Sequence, residues 1–302
     1  MRYGIMFDSS KPIDKMIEGC RALAAAGFDT LWCTQIFGYD ALTLLAVLGR
    51  EVPEIGLGTA VIPVYPRHPV MLGGQALTVQ AATGGRLQLG VGLSHQVVIE
   101  NVFGQSFDRP ARYMAEYLEL LMPVVRGEVA GFKGEVLSGS TFGPLAIPGS
   151  TPPPVLVAAL GSRMLELAGQ KADGTATWMT GPATIADHIV PEIRAAASAA
   201  GRPAPRVAVG LPVCVTADVD GARRQAADTF SIYGTLPSYR AMLDREKVDG
   251  PADVAIVGDE DVVAAALARL ADAGATEFIG TPFGSREDQS RTVAALSAIA
   301  RG

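Results

Sequence analysis

Eight short, almost wholly apolar runs recur along the chain, and each is followed by a stretch with helical spacing. A strand that is apolar at nearly every position is buried on both faces. That is the condition of a parallel sheet covered by helices. The runs are Tyr3–Phe7, Thr30–Thr34, Ile55–Ile62, Leu87–Val91, Val155–Ala159, Gly174–Trp178, Arg206–Val215 and Glu277–Thr281. The helical stretches between them include Ile13–Ala26, which stops at Gly27, and Ala41–Val52, for which Asp40 is a plausible N-cap. Pro69–Thr83 is predicted to end at Gly84-Gly85, and Pro110–Val125 follows strand 4. Arg163–Lys171, Ala183–Ala200, Asp220–Tyr233, Pro237–Val248, Asp259–Ala273 and Asp288–Ala300 complete the helices. A doubly wound sheet is the rival arrangement, but a count of eight favours closure. The expected fold class is therefore α/β, a (β/α)8 TIM barrel. Glu128–Pro154 breaks the rhythm with Gly, Pro and Ser, and reads as an insertion, a short hairpin, between helix 4 and strand 5. No linker divides the chain, so residues 1–302 are expected to form one domain with this insertion at about 128–154.

Composition narrows the partners. The chain has 302 residues, 49% of them hydrophobic and 19% charged, enough for a large core. Its formal net charge is −6 and it has no Lys/Arg run, so no nucleic acid is expected and a small molecule is. Cys20, Cys33 and Cys214 are far apart and form no CxxC pair, which predicts buried thiols in a reducing compartment. The N-terminus lacks the apolar core of a signal peptide, and no apolar stretch reaches the ~20 residues that span a bilayer. The expectation is a cytoplasmic protein with no membrane partner. No Walker A loop or Gly-x-Ser-x-Gly elbow occurs, and no histidine has a partner at metal-ligand spacing, so no metal is expected.

In such a barrel the strand C-termini carry function. Leu89-Gly90-Val91-Gly92-Leu93-Ser94-His95 sets two glycines at the end of strand 4, where a flat ring or a backbone could approach. A crowded barrel layer would ask for the same residues. Leu160-Gly161-Ser162-Arg163 turns from strand 5 into a helix, whose free N–H groups and adjacent arginine suit a phosphate. An ordinary helix start beside a solvated arginine reads equally well. Thr59-Ala60-Val61 ends strand 3 with small or β-branched residues that could back an aromatic ring or simply fill core. His95 is a candidate for proton transfer or for holding a substrate oxygen. His68 and His188 look helix-associated and weaker.

In this order the segments resemble the luciferase-like monooxygenase superfamily, and within it the coenzyme F420-dependent oxidoreductases. The segments are Ala25–Trp32, Ile55–Val61, Gly85–Gly92, Val155–Gly161 and Ala172–Gly174. The resemblance implies a deazaflavin, coenzyme F420, or FMN as the alternative. It implies a cofactor ring over Thr59, Ala60 and Val61, with a non-proline cis peptide at Ala60–Val61. It places the rest of the cofactor against Gly92, Leu93, Ser94, Ala159, Leu160, Gly161, Ser162, Arg163 and Thr180. A homodimer is common in such proteins. The Asp-His pair of many F420-dependent members is here Gln35-Ile36, and the place of a glutamate proton donor is taken by His95. These departures favour hydride transfer from the reduced ring to a C=C or C=N bond. His95 is the leading catalytic candidate, with Gln35 and Asp40 behind it, and Asp8, Tyr39 and Tyr65 as possible substrate contacts. The rivals are an FMN-dependent monooxygenase, a barrel isomerase or lyase on a phosphorylated substrate, and a silent homologue.

Overall fold

The computed structural model describes residues 1–302. Eight parallel strands close into a barrel: β1 Arg2–Met6, β2 Thr30–Cys33, β3 Gly56–Thr59, β4 Leu87–Gly92, β5 Val155–Val157, β6 Gly174–Trp178, β7 Arg206–Val215 and β8 Glu277–Pro282. Each pairs with its neighbour in chain order, and β8 closes on β1 through Arg2↔Glu277. The run read as one strand over Ile55–Ile62 is broken at Ala60–Val61 and resumes as Ile62–Pro63, which pairs with Val91–Gly92. The peptide bond at the break, Ala60–Val61, is cis.

Side chains of alternate residues fill the barrel in layers. The lowest is polar: Trp32 Nε1 donates to Glu277 at 2.9 Å, Arg206 pairs with the other Glu277 oxygen, and Gln88 donates to Thr30 at 3.1 Å. Above it the buried Trp32 ring packs with Leu156, Ala176, Ala208 and Ile279, next to Gly4 and Gly58. The main core lies outside the barrel, between strands and helices. Cys20, Cys33 and Cys214 are buried there as free thiols.

The helices start and stop where local chemistry dictates. Pro69 stands in the first turn of Pro69–Thr83, and Gly84 ends it at φ +66° in the left-handed region. The Asp40 side chain caps Ala41–Glu51 by accepting from Thr43 N at 2.8 Å. The stretch expected as one helix over Ala183–Ala200 contains a π turn at Ile185–Ile189, flanked by Pro182–Thr184 and Val190–Ala199. Three elements were not anticipated: a short helix, Gln96–Asn101, after β4, another, Pro251–Val254, and a strand, Ile256–Gly258, on the far end of β7. The insertion does contain a hairpin, Gly131–Lys133 paired with Ser138–Ser140. Its turn is pinned by the buried Glu116 carboxylate, which accepts from the amides of Glu135, Val136 and Leu137 at 2.8–3.1 Å. Burial pushes the Glu116 carboxyl up, but these amides and Arg112 outweigh it and hold it below its ordinary value.

No helix is long and apolar enough to cross a membrane.

Candidate active site

The top inward layer, at the strand C-termini, has two unlike halves. On the β3–β5 side it is built of Ala60, Val61, Gly92 and Ala158. The glycines of β4 are required by the bulge of β3. A Cβ on Gly90 would lie 1.9 Å from the Thr59 carbonyl oxygen, and one on Gly92 would lie 2.6 Å from a Val61 methyl. So the close approach read from Gly90 and Gly92 is that of the neighbouring strand itself. Thr59 is fully buried and locks the two strands: its hydroxyl donates to Gly90 O at 2.8 Å and accepts from Gly90 N at 2.9 Å. Above the bulge Ala60, Val61 and Ala158 are half-buried, a floor of small side chains.

Ser94 follows at φ +61°, and Met179, after β6, at φ +52°. Non-glycine residues in this region store strain, which concentrates at strand ends that serve a site. Next to the floor, the helix Ser162–Lys171 begins at Gly161 with no side-chain cap. Its first amides therefore remain free to meet an anion.

The network behind this helix start was not foreseen. His188 is 3% exposed. Its Nε2 lies 2.7 Å from Leu160 O and its Nδ1 lies 2.8 Å from a Glu192 carboxylate oxygen. The Ser162 hydroxyl donates to the same oxygen at 3.1 Å. The π turn at Ile185–Ile189 carries His188 into this position. The spacing of His188 and Glu192, one turn apart on a predicted helix, was the available signal.

Several expected contacts have other employment. Ser162 spends its hydroxyl on Glu192. Arg163 is exposed and lines a groove of about 290 Å³ between the helices Pro110–Val125 and Ser162–Lys171, with Arg112, Glu116, Glu166 and Gln170. That is the outer helical layer, so its guanidinium does not join the floor. Thr180 is wholly buried and donates to Trp178 O at 3.1 Å. Gln35 accepts from Ala41 N at 2.8 Å and from Arg67 at 3.2 Å. Asp40 divides its oxygens between Thr43 and an ion pair with Arg67. Burial raises the Asp40 carboxyl, but Thr43 and Arg67 together hold it below its ordinary value. Gln35 and Asp40 thus order the β2 loop instead of presenting free polar atoms. Tyr65 is 5% exposed and stacks on Tyr113 with ring centroids 4.1 Å apart, walled off from a ligand. Asp8 is exposed and turned toward Ser10 and Lys11, while Tyr39 lies exposed on the β2 loop.

His95 lies on the loop after β4, as expected, and immediately precedes Gln96–Asn101. It is half-buried, burial pushes its ring below the ordinary histidine value, and its nitrogens have no hydrogen-bond partner in the protein. Burial thus favours the neutral form of the ring. Its centroid lies 6.0 Å from Tyr239, which belongs to the excursion between β7 and β8. Tyr239 had no local signal in the sequence. Trp178 had one: counting in twos from the inward Gly174 and Ala176 brings it to the top layer.

A closed parallel barrel with its irregular, strained backbone at the strand C-termini is the architecture of a catalytic TIM barrel. Comparison with known proteins gives the family. The profile of the luciferase-like monooxygenases matches residues 2–277, and the chain belongs to that family. It is 26% identical over 320 residues to the 5,10-methylenetetrahydromethanopterin reductase of Methanolobus tindarius, covering 96% of this chain and 97% of that one. The coenzyme F420-dependent tetrahydromethanopterin reductase of Methanopyrus kandleri superposes with a TM-score of 0.82 at 20% identity over 99% of each chain. The oxygenating component of 3,6-diketocamphane monooxygenase from Pseudomonas putida, solved with FMN, superposes with a TM-score of 0.77 at 16% identity over 100% of this chain and 97% of that one.

Proposed function

We infer that this chain is a coenzyme F420-dependent oxidoreductase that reduces a C=C or C=N bond of a small organic substrate. The observation that carries the reading is the floor of Ala60, Val61, Gly92 and Ala158 beside an uncapped helix start. A flat tricyclic ring needs a wall without projecting side chains, and an anionic tail needs free amides. The residues present fit both demands. Ala60 and Val61 would back the ring, with Leu93 and Ser94 at its edge. Leu160, Gly161 and the Ser162 amide would meet the tail. The full-length similarity to a methylenetetrahydromethanopterin reductase supports a deazaflavin over FMN.

When bound, the reduced deazaflavin supplies a hydride. The chain's own part is to hold the acceptor carbon over the floor at roughly 3–3.5 Å and to keep water out. His95 is positioned to hold the substrate heteroatom. Its neutral ring offers one N–H as a hydrogen-bond donor. The His188–Glu192 pair fixes the Leu160 carbonyl, and so the entry to the helix start. Arg67 and Asp40 keep the β2 loop in place.

The test is a fluorescence titration of the purified protein with F420 and with FMN. Micromolar F420 binding, weakened at least tenfold by Gly92→Val, is expected. Micromolar FMN binding without F420 binding would reverse the cofactor assignment.

A further inference from the structure

Opposite the small-walled floor, six rings form an unbroken arc around the other half of the mouth. His95 meets Tyr239 at a centroid distance of 6.0 Å, Tyr239 meets Tyr233 at 5.0 Å, and Tyr233 meets Trp178 at 5.9 Å. Trp178 meets Phe230 at 6.1 Å, and Phe230 meets Phe283 at 5.7 Å. The last four contacts are edge-on, the arrangement aromatic pairs prefer. Phe230 and Phe283 are buried, whereas His95, Tyr239, Tyr233 and Trp178 are half-buried and keep a surface free. The arc thus runs from the end of β4, across β6, to the end of β8.

One inward polar atom within this half has no partner. Thr281 Oγ1 is buried and makes no hydrogen bond, whereas the Trp178 indole meets the Tyr233 side chain. Both residues stand on the inward face of their strands, in register with Ala176 and Ile279 below them. A buried donor left unpaired is costly, and such groups in a native fold call for an explanation. An acceptor atom on a ligand would satisfy the Thr281 hydroxyl.

The charges point the same way. Arg67 is paired with Asp40, and Arg240, beside Tyr239, is spent on Asp244 and on the carbonyls of Val248 and Asp249. An anionic group pressed against these rings would lose its hydration without compensation.

We propose that the arc is the substrate wall, and that it selects a flat, uncharged, conjugated compound whose carbonyl or imine atom accepts from Thr281 Oγ1. A carboxylated or phosphorylated group is excluded from this half of the mouth. The bond that is reduced rests on the oxidoreductase reading above; the ligand chemistry rests on the arc alone.

A matched pair of probes separates the cases. Cinnamaldehyde and cinnamate share a flat conjugated frame and differ in charge. Quenching of tryptophan emission reports their binding without any cofactor, because Trp178 lies in the arc while Trp32 is sealed inside the barrel. The aldehyde is expected to bind at least tenfold more tightly than the carboxylate. Tyr239→Leu, which keeps apolar volume but removes the ring, is expected to weaken the aldehyde about tenfold. Tyr239→Phe is expected to leave it within twofold, and both variants should keep the wild-type circular dichroism. Equal or tighter binding of cinnamate would overturn the proposal, as would a folded Tyr239→Leu protein with unchanged aldehyde affinity. The F420 and FMN titration is read separately. Failure of both rings to bind would sink the oxidoreductase reading and leave this result standing.

Discussion

The two halves of the barrel mouth are made of different material. The β3–β5 half is shaped by backbone: a broken strand, two glycines that admit it, and a helix start with free amides. The β6–β8 half is shaped by ring side chains, and it holds an unpaired hydroxyl. A surface made of backbone cannot be altered without moving a strand. A surface made of side chains can be changed one residue at a time. The first suits a ligand that never changes, such as a cofactor ring, and the second suits the partner that differs between enzymes built on the same barrel.

This contrast can be broken. Gly90→Ala should do the greatest damage, because its Cβ would meet the Thr59 carbonyl oxygen at 1.9 Å, and backbone has to move. A loss of about 3 kcal/mol is expected in urea unfolding. An unchanged midpoint would show that the floor is not held as rigidly as the packing implies. His188→Ala comes next. It leaves the Leu160 carbonyl without its partner and Glu192 with the Ser162 hydroxyl alone. The expected cost is about 2 kcal/mol in the same assay. Ring-cofactor affinity should fall with it, while binding of a neutral probe to the arc should not. If both affinities fell together, the halves would be coupled and the comparison would fail.

His95 sits where the halves meet, and its titration sharpens the boundary. Burial lowers its pKa, so the charged form appears only below the ordinary histidine value of about 6.5. If the neutral ring holds the substrate, kcat/KM is level near pH 7 and declines as pH falls through that lowered value. A His95→Gln variant should lose this limb and about tenfold in kcat/KM, roughly 1.4 kcal/mol. A wild-type rate that instead rises on acidification would assign His95 as the proton donor. The smallest effect is expected outside both halves. Asp40→Ala removes a helix cap and the Arg67 ion pair on the β2 loop and should cost about 1 kcal/mol. Its effect on kcat/KM should be below threefold, since neither carboxylate oxygen is free.

Much of the barrel was legible because its signals are local. The helix Pro69–Thr83 has proline in its first turn and glycine just past its end, and both bounds fall where the sequence puts them. The bounds of β6 and β7 do as well. The local pattern reads strand 3 as continuous, because Ala60 and Val61 are good strand residues and nothing nearby announces the break. The cis peptide at Ala60–Val61, which the structure contains, was implied only by the family resemblance. Gln96–Asn101 escaped because six residues carry too little periodicity. Arg163 shows a different limit. Its place beside a helix start was foreseen, but the direction of its side chain was set by the groove against the helix Pro110–Val125.

By itself, then, the sequence determined the strand count, the parallel order, the family resemblance and the loops that face the mouth. These follow from hydrophobic period, caps and turn residues, all of which act over a few neighbours. Only the tertiary structure decided what those loops do. It removed Gln35, Asp40 and Tyr65 from the free surface, turned Arg163 outward, brought His188 behind Leu160, and set Tyr239 against His95 across 144 positions of chain. Barrel closure is the physical reason. It brings the ends of eight distant strands to one rim, where each side chain's direction and partners depend on residues no local signal reaches.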